Sequence, residues 1–307
     1  MNRRNALGFI ATAFVCVAVS LDASTVSAQQ NSVKGQTVQA HVVKVSLRVD
    51  GNPADVVTHI YKPSAPSVTA FPLVIYSHGR PFNPNPPSAV ALATPITPEV
   101  ANWWLQKGFA VVALVRPGYG ETGGTDREYP NVVWQSNSCV SEPAYERSVL
   151  KAREVVLAAL TWAQQQPWVM RSRILLVGNS AGGFATIAAA ATNPPGVIGG
   201  ISFVGGLGGN PTESPSKSCK PEQVAAIYGQ FGKTARIPTL WLYAENDLFW
   251  GADVPKQWFD AFKKGGSDAT FLQTPPVPAE ENGHTLINTG GPLWKPSVER
   301  FLQRLKL

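Results

Sequence analysis

Gly178-Asn179-Ser180-Ala181-Gly182 reads G-x-S-x-G. A serine hydroxyl becomes a useful nucleophile when a base takes its proton and donors receive the oxyanion that forms. The flanking residues give the motif a setting. Ile174 to Val177 is an apolar run suited to a buried strand, and Gly183 to Thr192 is rich in alanine and small apolar residues, as a buried helix would be. Strand, sharp turn and helix hold such a serine strained and exposed, with helix N-terminal amides pointing to where negative charge develops. A chance turn containing a serine is the bland alternative, so the partners matter.

The chain has 4 histidines, and His284 alone follows Ser180. Serines of this setting are followed in sequence by an acid and then the base. His284 is therefore the predicted base, in the polar loop Glu280-Glu281-Asn282-Gly283-His284. The base needs a carboxylate to hold its tautomer and stabilise its charged form. Asp247 fits best, just past the strand Pro238 to Ala244, with Glu245 and Asp253 as rivals. For the oxyanion, one donor is the amide of Ala181. The second is expected after His78-Gly79, and since Pro81 has no N–H, the backbone of Arg80 is the choice. The Arg80 side chain either meets a substrate carboxylate or is solvated or paired with a nearby acid. Phe249 and Trp250 follow Asp247 closely and are expected to bind substrate, with core packing as the alternative for Trp250.

These residues need a scaffold. Thr37 to Val49 alternates like a strand with a bulge, Asp50-Gly51-Asn52-Pro53 is a turn, and Val56 to Tyr61 returns, giving an antiparallel hairpin. From Pro72 onward strands alternate with helices. The predicted strands are Pro72–Ser77, Phe109–Val115, the run before Ser180, Val197–Val204, Pro238–Ala244 and Ala269–Gln273. The predicted helices cover 99–107, 142–166 (capped by Ser141), 183–192, 224–231, 254–265 and 296–306. This order implies an α/β fold, a mostly parallel central sheet with helices on both faces. The segments 121–140 and 205–221 are too long for plain connectors and are predicted to be lid-like.

Ser77-His78-Gly79, Arg116-Pro117-Gly118-Tyr119-Gly120, the Ser180 motif, Tyr243-Ala244-Glu245-Asn246-Asp247 and Gly283-His284 together resemble the α/β-hydrolase superfamily. The similarity is to its dienelactone hydrolase-like and prolyl-oligopeptidase-like branches and spans about Pro72 to Leu305. It implies the α/β-hydrolase fold and a Ser180, Asp247, His284 triad. Two departures matter. Dienelactone hydrolases use a cysteine nucleophile where this chain has Ser180, and large oligopeptidases carry a propeller domain that has no counterpart here.

The chain has 307 residues, enough for one large domain. Its net charge of +6 is spread along the sequence without a basic stripe, which argues against nucleic acid as a partner. Residues 1–28 read as a signal peptide: Arg3 and Arg4, an apolar run from Leu7 to Val19, and Val26-Ser27-Ala28 before the cut. Residues 29–307 are then a single domain without stable membrane insertion, in the periplasm or secreted. Cleavage removes Cys16 and leaves Cys139 and Cys219, both in connections leaving the carboxyl edge of the sheet. A Cys139–Cys219 disulfide is predicted, against two free thiols. The expected function is a carboxylic ester hydrolase acting on a small-molecule ester through an acyl-enzyme, with no metal or organic cofactor. The alternatives are a small-peptide or amide hydrolase and a catalytically silent binding protein on the same scaffold.

Overall fold

A computed structural model of the chain describes residues 39–307 except 65–66, 82, 84–85 and 279–281. The predicted signal peptide, residues 1–28, lies outside the described residues.

β1 (His41–Val49) and β2 (Asn52–Tyr61) form the expected hairpin. They pair in unbroken register from His41 opposite Ile60 to Val49 opposite Asn52, so the expected bulge is absent. Asp50 and Gly51 fill the two-residue loop with φ of 53° and 74°. Such tight hairpin turns need positive φ at both central positions, which an Asp-Gly pair supplies. The chain continues through β3 (Phe71–Ser77), α1 (Pro98–Gln106) and β4 (Ala110–Leu114). Two short strands, β5 (Trp134–Gln135) and β6 (Ser138–Cys139), precede α2 (Tyr145–Ala163). β7 (Val169–Asn179), α3 (Ala181–Ala190) and β8 (Val197–Phe203) carry the serine motif and its neighbour. β9 (Gly209–Asn210), β10 (Ser214–Ser218), α4 (Pro221–Thr234), β11 (Thr239–Ala244), α5 (Val254–Lys263) and β12 (Ala269–Thr274) follow. α6 (Leu286–Thr289) and α7 (Gly291–Arg304) close the chain.

The main sheet has 8 strands in the order β1-β2-β4-β3-β7-β8-β11-β12. Strands β4 to β12 pair in parallel, while β2 is antiparallel to both β1 and β4. The central strands are buried along nearly their whole length, as parallel strands covered on both faces must be. Alternate side chains feed separate cores. Val74, Tyr76, Leu175 and Val177 join Val100 and Trp104 of α1 and Trp294 of α7. Leu73, Ile75, Ile174 and Leu176 join Val155, Val156 and Leu160 of α2.

Helix ends differ from expectation for local reasons. α2 starts at Tyr145, because the residue before Pro143 is pushed out of the helical region. Ser141 instead accepts a hydrogen bond from the Val133 amide at 2.9 Å. α7 begins at Gly291, ahead of Pro296. A proline in the first turn lacks only an amide that would be unpaired anyway, and Pro296 follows as an interior proline at the cost of one helical bond.

The long segments 121–140 and 205–221 are each organised by a small hairpin, β5–β6 and β9–β10. Cys139 and Cys219 are disulfide-bonded with Cα atoms 5.3 Å apart. Ser214 adds a 2.6 Å hydrogen bond to Asn137, and the Tyr145 hydroxyl donates to the Cys219 carbonyl at 2.6 Å.

Candidate active site

Ser180 stands between β7 and α3 with φ 55° and ψ −124°. This strained corner is held by its backbone amide, which donates to the Phe203 carbonyl at 2.8 Å. Gly182 is required on the next turn: a Cβ there would lie 2.1 Å from the Ser77 carbonyl oxygen and 2.3 Å from that of His78. The bare backbone lets α3 press its first turn against the β3 loop.

The Ser180 hydroxyl and His284 Nε2 are 2.9 Å apart. His284 Nδ1 lies 3.1 and 3.0 Å from the carboxylate oxygens of Asp247. A carboxylate only accepts, so Nδ1 carries the proton and Nε2 is left to accept from Ser180. Asp247 is fully buried. Its Oδ1 also accepts from the Phe249 amide at 2.7 Å, which fixes the turn after β11. Asn282 ties this turn to the histidine: its Oδ1 accepts from the amides of Leu248 and His284, both at 3.0 Å. The Phe249 ring stacks on the imidazole with centroids 3.9 Å apart. Glu245 and Asp253, the rival acids, make no hydrogen bond or ion pair with His284, whose carboxylate partner is Asp247.

The Ala181 amide opens α3, and the first amides of a helix have no partner within it. Among the described residues neither this amide nor that of Arg80 has a protein acceptor. The Arg80 peptide is held in an unforeseen way. His78 is buried and its Nε2 accepts from the Arg116 amide at 3.1 Å. Its Nδ1 therefore carries the proton and donates to the Gly79 carbonyl at 2.6 Å. That carbonyl and the Arg80 N–H belong to one planar trans peptide, so fixing one aims the other the opposite way. Burial, with the Arg116 charge adding to it, pushes the imidazole well below its ordinary value, so the ring stays neutral.

A buried charge network surrounds this loop. Arg116 is fully buried and makes a two-pronged pair with Glu128 at 2.8 and 3.0 Å. Its remaining nitrogen donates to the Ser77 hydroxyl at 3.0 Å and the His78 carbonyl at 2.7 Å. Burial alone would lower the guanidinium, but charge and hydrogen bonds from Glu128 and Tyr119 together outweigh it and raise it above the ordinary arginine value. Arg80 pairs with Asp126 at 2.8 and 2.5 Å and donates to the Tyr119 hydroxyl at 2.9 Å. Of the readings for this side chain, pairing with a nearby acid is the one observed. Burial would raise the Asp126 carboxyl, yet hydrogen bonds and charge from Arg80 hold it below its ordinary value.

A cavity of about 240 Å³ opens beside Ser180 and His284. Phe249, Tyr76, Asn179 and Arg80 line it, and its outer wall is Leu92 to Thr97 with Asn288. Neither hairpin segment supplies a lining residue to it among the described residues. Glu128 and Leu207, one from each segment, instead wall a smaller recess behind Arg80 and Ala181. Trp250 corrects the expectation of a substrate-binding role. It is 2% exposed, its indole N–H donates to the Val204 carbonyl at 2.9 Å, and it packs edge-on against His284 and Trp258. It braces the imidazole from behind, while Phe249 reaches the cavity.

Among the described residues no group of side chains could hold a metal ion, and no helix is long and apolar enough to cross a membrane.

Residues 74–306 match the model of the alpha/beta hydrolase family. No curated protein matches the chain in sequence. Solved structures do match in fold. An acylaminoacyl peptidase of Pyrococcus horikoshii aligns with a TM-score of 0.59 at 14% identity, over 88% of this chain and 42% of that one. This chain thus spans well under half the length of that peptidase. An esterase of Pyrococcus furiosus aligns with a TM-score of 0.55 at 12% identity, over 87% of this chain and 92% of that one. A Klebsiella pneumoniae protein described as a dienelactone hydrolase aligns with a TM-score of 0.54 at 15% identity, over 87% and 98%.

Proposed function

The chain belongs to the alpha/beta hydrolase family, and from that premise we propose that it is a serine hydrolase of small-molecule carboxylic esters. The observation that carries this reading is the continuous relay from the Ser180 hydroxyl through the His284 ring to the buried Asp247 carboxylate. Ser180 Oγ attacks the acyl carbonyl while His284 Nε2 takes its proton. The carbonyl oxygen, now negative, receives the Ala181 and Arg80 amides. Asp247 stabilises the imidazolium without taking its proton. His284 returns the proton to the leaving alcohol, and an acyl-Ser180 ester remains. A water molecule, deprotonated by His284, attacks that ester and releases the acid and the free serine.

The leader sequence and the Cys139–Cys219 bond support an exported enzyme of the periplasm or the cell exterior. The test is labelling with a fluorophosphonate probe, followed by turnover of matched ester and amide substrates. Ser180 is expected to carry the label, and Ser180→Ala to lose both label and turnover. A wild-type protein that does not label is a silent scaffold, and amide turnover rivalling ester turnover makes it a peptidase or amidase.

A further inference from the structure

The wall of the main cavity holds polar groups that the serine chemistry leaves unused. Tyr76, near the end of β3, is 4% exposed and lines the cavity. Burial pushes its phenol well above the ordinary value, and no hydrogen bond to protein offsets it. The group is thus a neutral O–H donor throughout the working range of a serine hydrolase. Asn179, next to Ser180, lines the same cavity, and its carboxamide oxygen is buried with no partner. The two are neighbours by register. Tyr76 pairs with Val177 across β3 and β7, and Asn179 stands two residues on, facing the same side of the sheet.

Buried polar groups in native proteins are nearly always paired. The Asn179 oxygen is an exception, and the Tyr76 hydroxyl, also without a protein partner, lines the same cavity beside the nucleophile; together they point to a partner that arrives with the substrate. The chemistry of that partner is limited by what surrounds it. A phenol donates to an oxygen and the unpaired Asn179 oxygen accepts from a donor, so a group that does both fits. The Arg80 guanidinium, which could have drawn an anion, is taken up by Asp126.

We infer that the Tyr76 hydroxyl and the Asn179 carboxamide form a neutral subsite that binds a hydroxyl group of the ester substrate, which accepts from Tyr76 and donates to the Asn179 oxygen. The inference rests on the serine-hydrolase reading above and narrows its substrates to hydroxyl-bearing esters. Sites built to hydrogen-bond a substrate oxygen discriminate against the analogue without it far more sharply than apolar pockets discriminate by size.

Two ester pairs that exchange one CH3 for OH test this. p-Nitrophenyl butyrate against p-nitrophenyl 3-hydroxypropanoate probes the acyl side, and propyl acetate against 2-hydroxyethyl acetate probes the alcohol side. The oxygen preference is the ratio of kcat/KM within a pair, measured for wild type, Tyr76→Phe and Asn179→Ala. Comparing ratios between proteins cancels the intrinsic reactivity of each ester. For at least one pair the ratio is expected to fall about 3- to 10-fold in Tyr76→Phe, the worth of one neutral hydrogen bond. It should fall similarly in Asn179→Ala, and Tyr76→Phe should unfold at the wild-type temperature or above, since the hydroxyl removed has no protein partner. Equal ratios in all three proteins for both pairs, with fluorophosphonate labelling of Ser180 intact, overturn the subsite alone. A lowered unfolding temperature for Tyr76→Phe also overturns it, by giving the hydroxyl a structural bond. Failure of wild type to label overturns the hydrolase reading, and the subsite with it.

Discussion

Glu128→Ala tests the claim that a buried ion pair holds the oxyanion loop. Arg116 has no exposed surface, and its pair to Glu128 is two-pronged at 2.8 and 3.0 Å. Removing the carboxylate leaves a guanidinium in the interior with only the Ser77 hydroxyl and the His78 carbonyl as acceptors. Breaking one side of a buried pair costs about 3–5 kcal/mol. For a domain of this size that is roughly 2–4 °C per kcal/mol, so unfolding should come about 6–20 °C earlier. Activity should fall as well. Arg116 holds the His78 carbonyl and supplies the amide that sets the His78 tautomer, and His78 in turn sets the Gly79–Arg80 peptide. Losing an oxyanion donor outright costs about 10²–10³ in kcat, and a donor that is present but poorly aimed should cost about tenfold.

The control is the double variant Arg116→Met with Glu128→Leu. Replacing a buried pair with apolar groups is often neutral for stability. If the pair matters for positioning, the double variant should recover most of the unfolding temperature but not the ester turnover. Circular dichroism melts and p-nitrophenyl acetate kinetics read the two effects separately. A shift of less than about 2 °C for Glu128→Ala would refute the energetic argument, since it corresponds to under about 1 kcal/mol. Recovery of both stability and turnover in the double variant would refute the positioning role.

Other outcomes follow from the same geometry. Asp247→Asn should lower kcat about 10⁴-fold with little change in fold, because the amide favours the wrong His284 tautomer; near wild-type turnover would mean another acid serves. Phe249→Ala should change the order of preference among esters, whereas Trp250→Phe should lower the melting temperature and scale all substrates alike. Reduction of the disulfide, which closes a sequence separation of 80, removes up to about 4.5 kcal/mol of chain-entropy stabilisation, yet turnover well below the melt should persist because neither hairpin lines the main cavity. A pH series of melts should show stability falling below pH 6.5. There the unfolded chain binds a proton at His78 that the folded chain, with its lowered value, refuses. His59, also lowered chiefly by burial, adds a slope of the same sign, and His78→Gln should flatten the series. The Asp126 contribution is complete above 3.8 and is lost only as pH falls through its lower folded value.

The parts that were legible in the chain are those with a local signature. Hydrophobic runs of strand length alternating with helical ones give the parallel sheet, since each is decided by neighbours in sequence. Ser180 is marked by its glycines, and Asp247 and His284 by standing after predicted strands in the right order. What stayed hidden depends on contacts between distant segments. Arg116 reads as one more loop arginine, and Glu128 lies in a polar stretch without periodicity. Only the fold brings the end of β4, the turn after β3 and the 121–140 segment together around His78. The Leu92 to Thr97 wall is similarly invisible, because the proline-rich stretch 82–98 in which it lies carries no pattern to show which surface it will cover.

The same contrast explains why Phe249 lines the cavity and Trp250 does not. Sequence places both within three residues of Asp247, but a turn sends successive side chains in different directions. Asp247 Oδ1 accepts from the Phe249 and Trp250 amides at 2.7 and 3.4 Å, and this fixes the turn. One ring is then delivered onto the face of His284 and the other behind it. The carboxylate that orients the imidazole through Nδ1 thus also builds the aromatic clamp that confines it. Chemistry and packing at this corner share one buried oxygen atom, so a substitution at Asp247 should loosen the imidazole as well as mis-protonate it. Asp247→Asn keeps an oxygen for the amides and Asp247→Ala does not. The alanine variant should therefore melt earlier than the asparagine variant by about 1–3 kcal/mol, the cost of leaving buried amides unpaired, while the two should be similarly inactive. Equal melting temperatures would mean that the carboxylate serves the histidine alone.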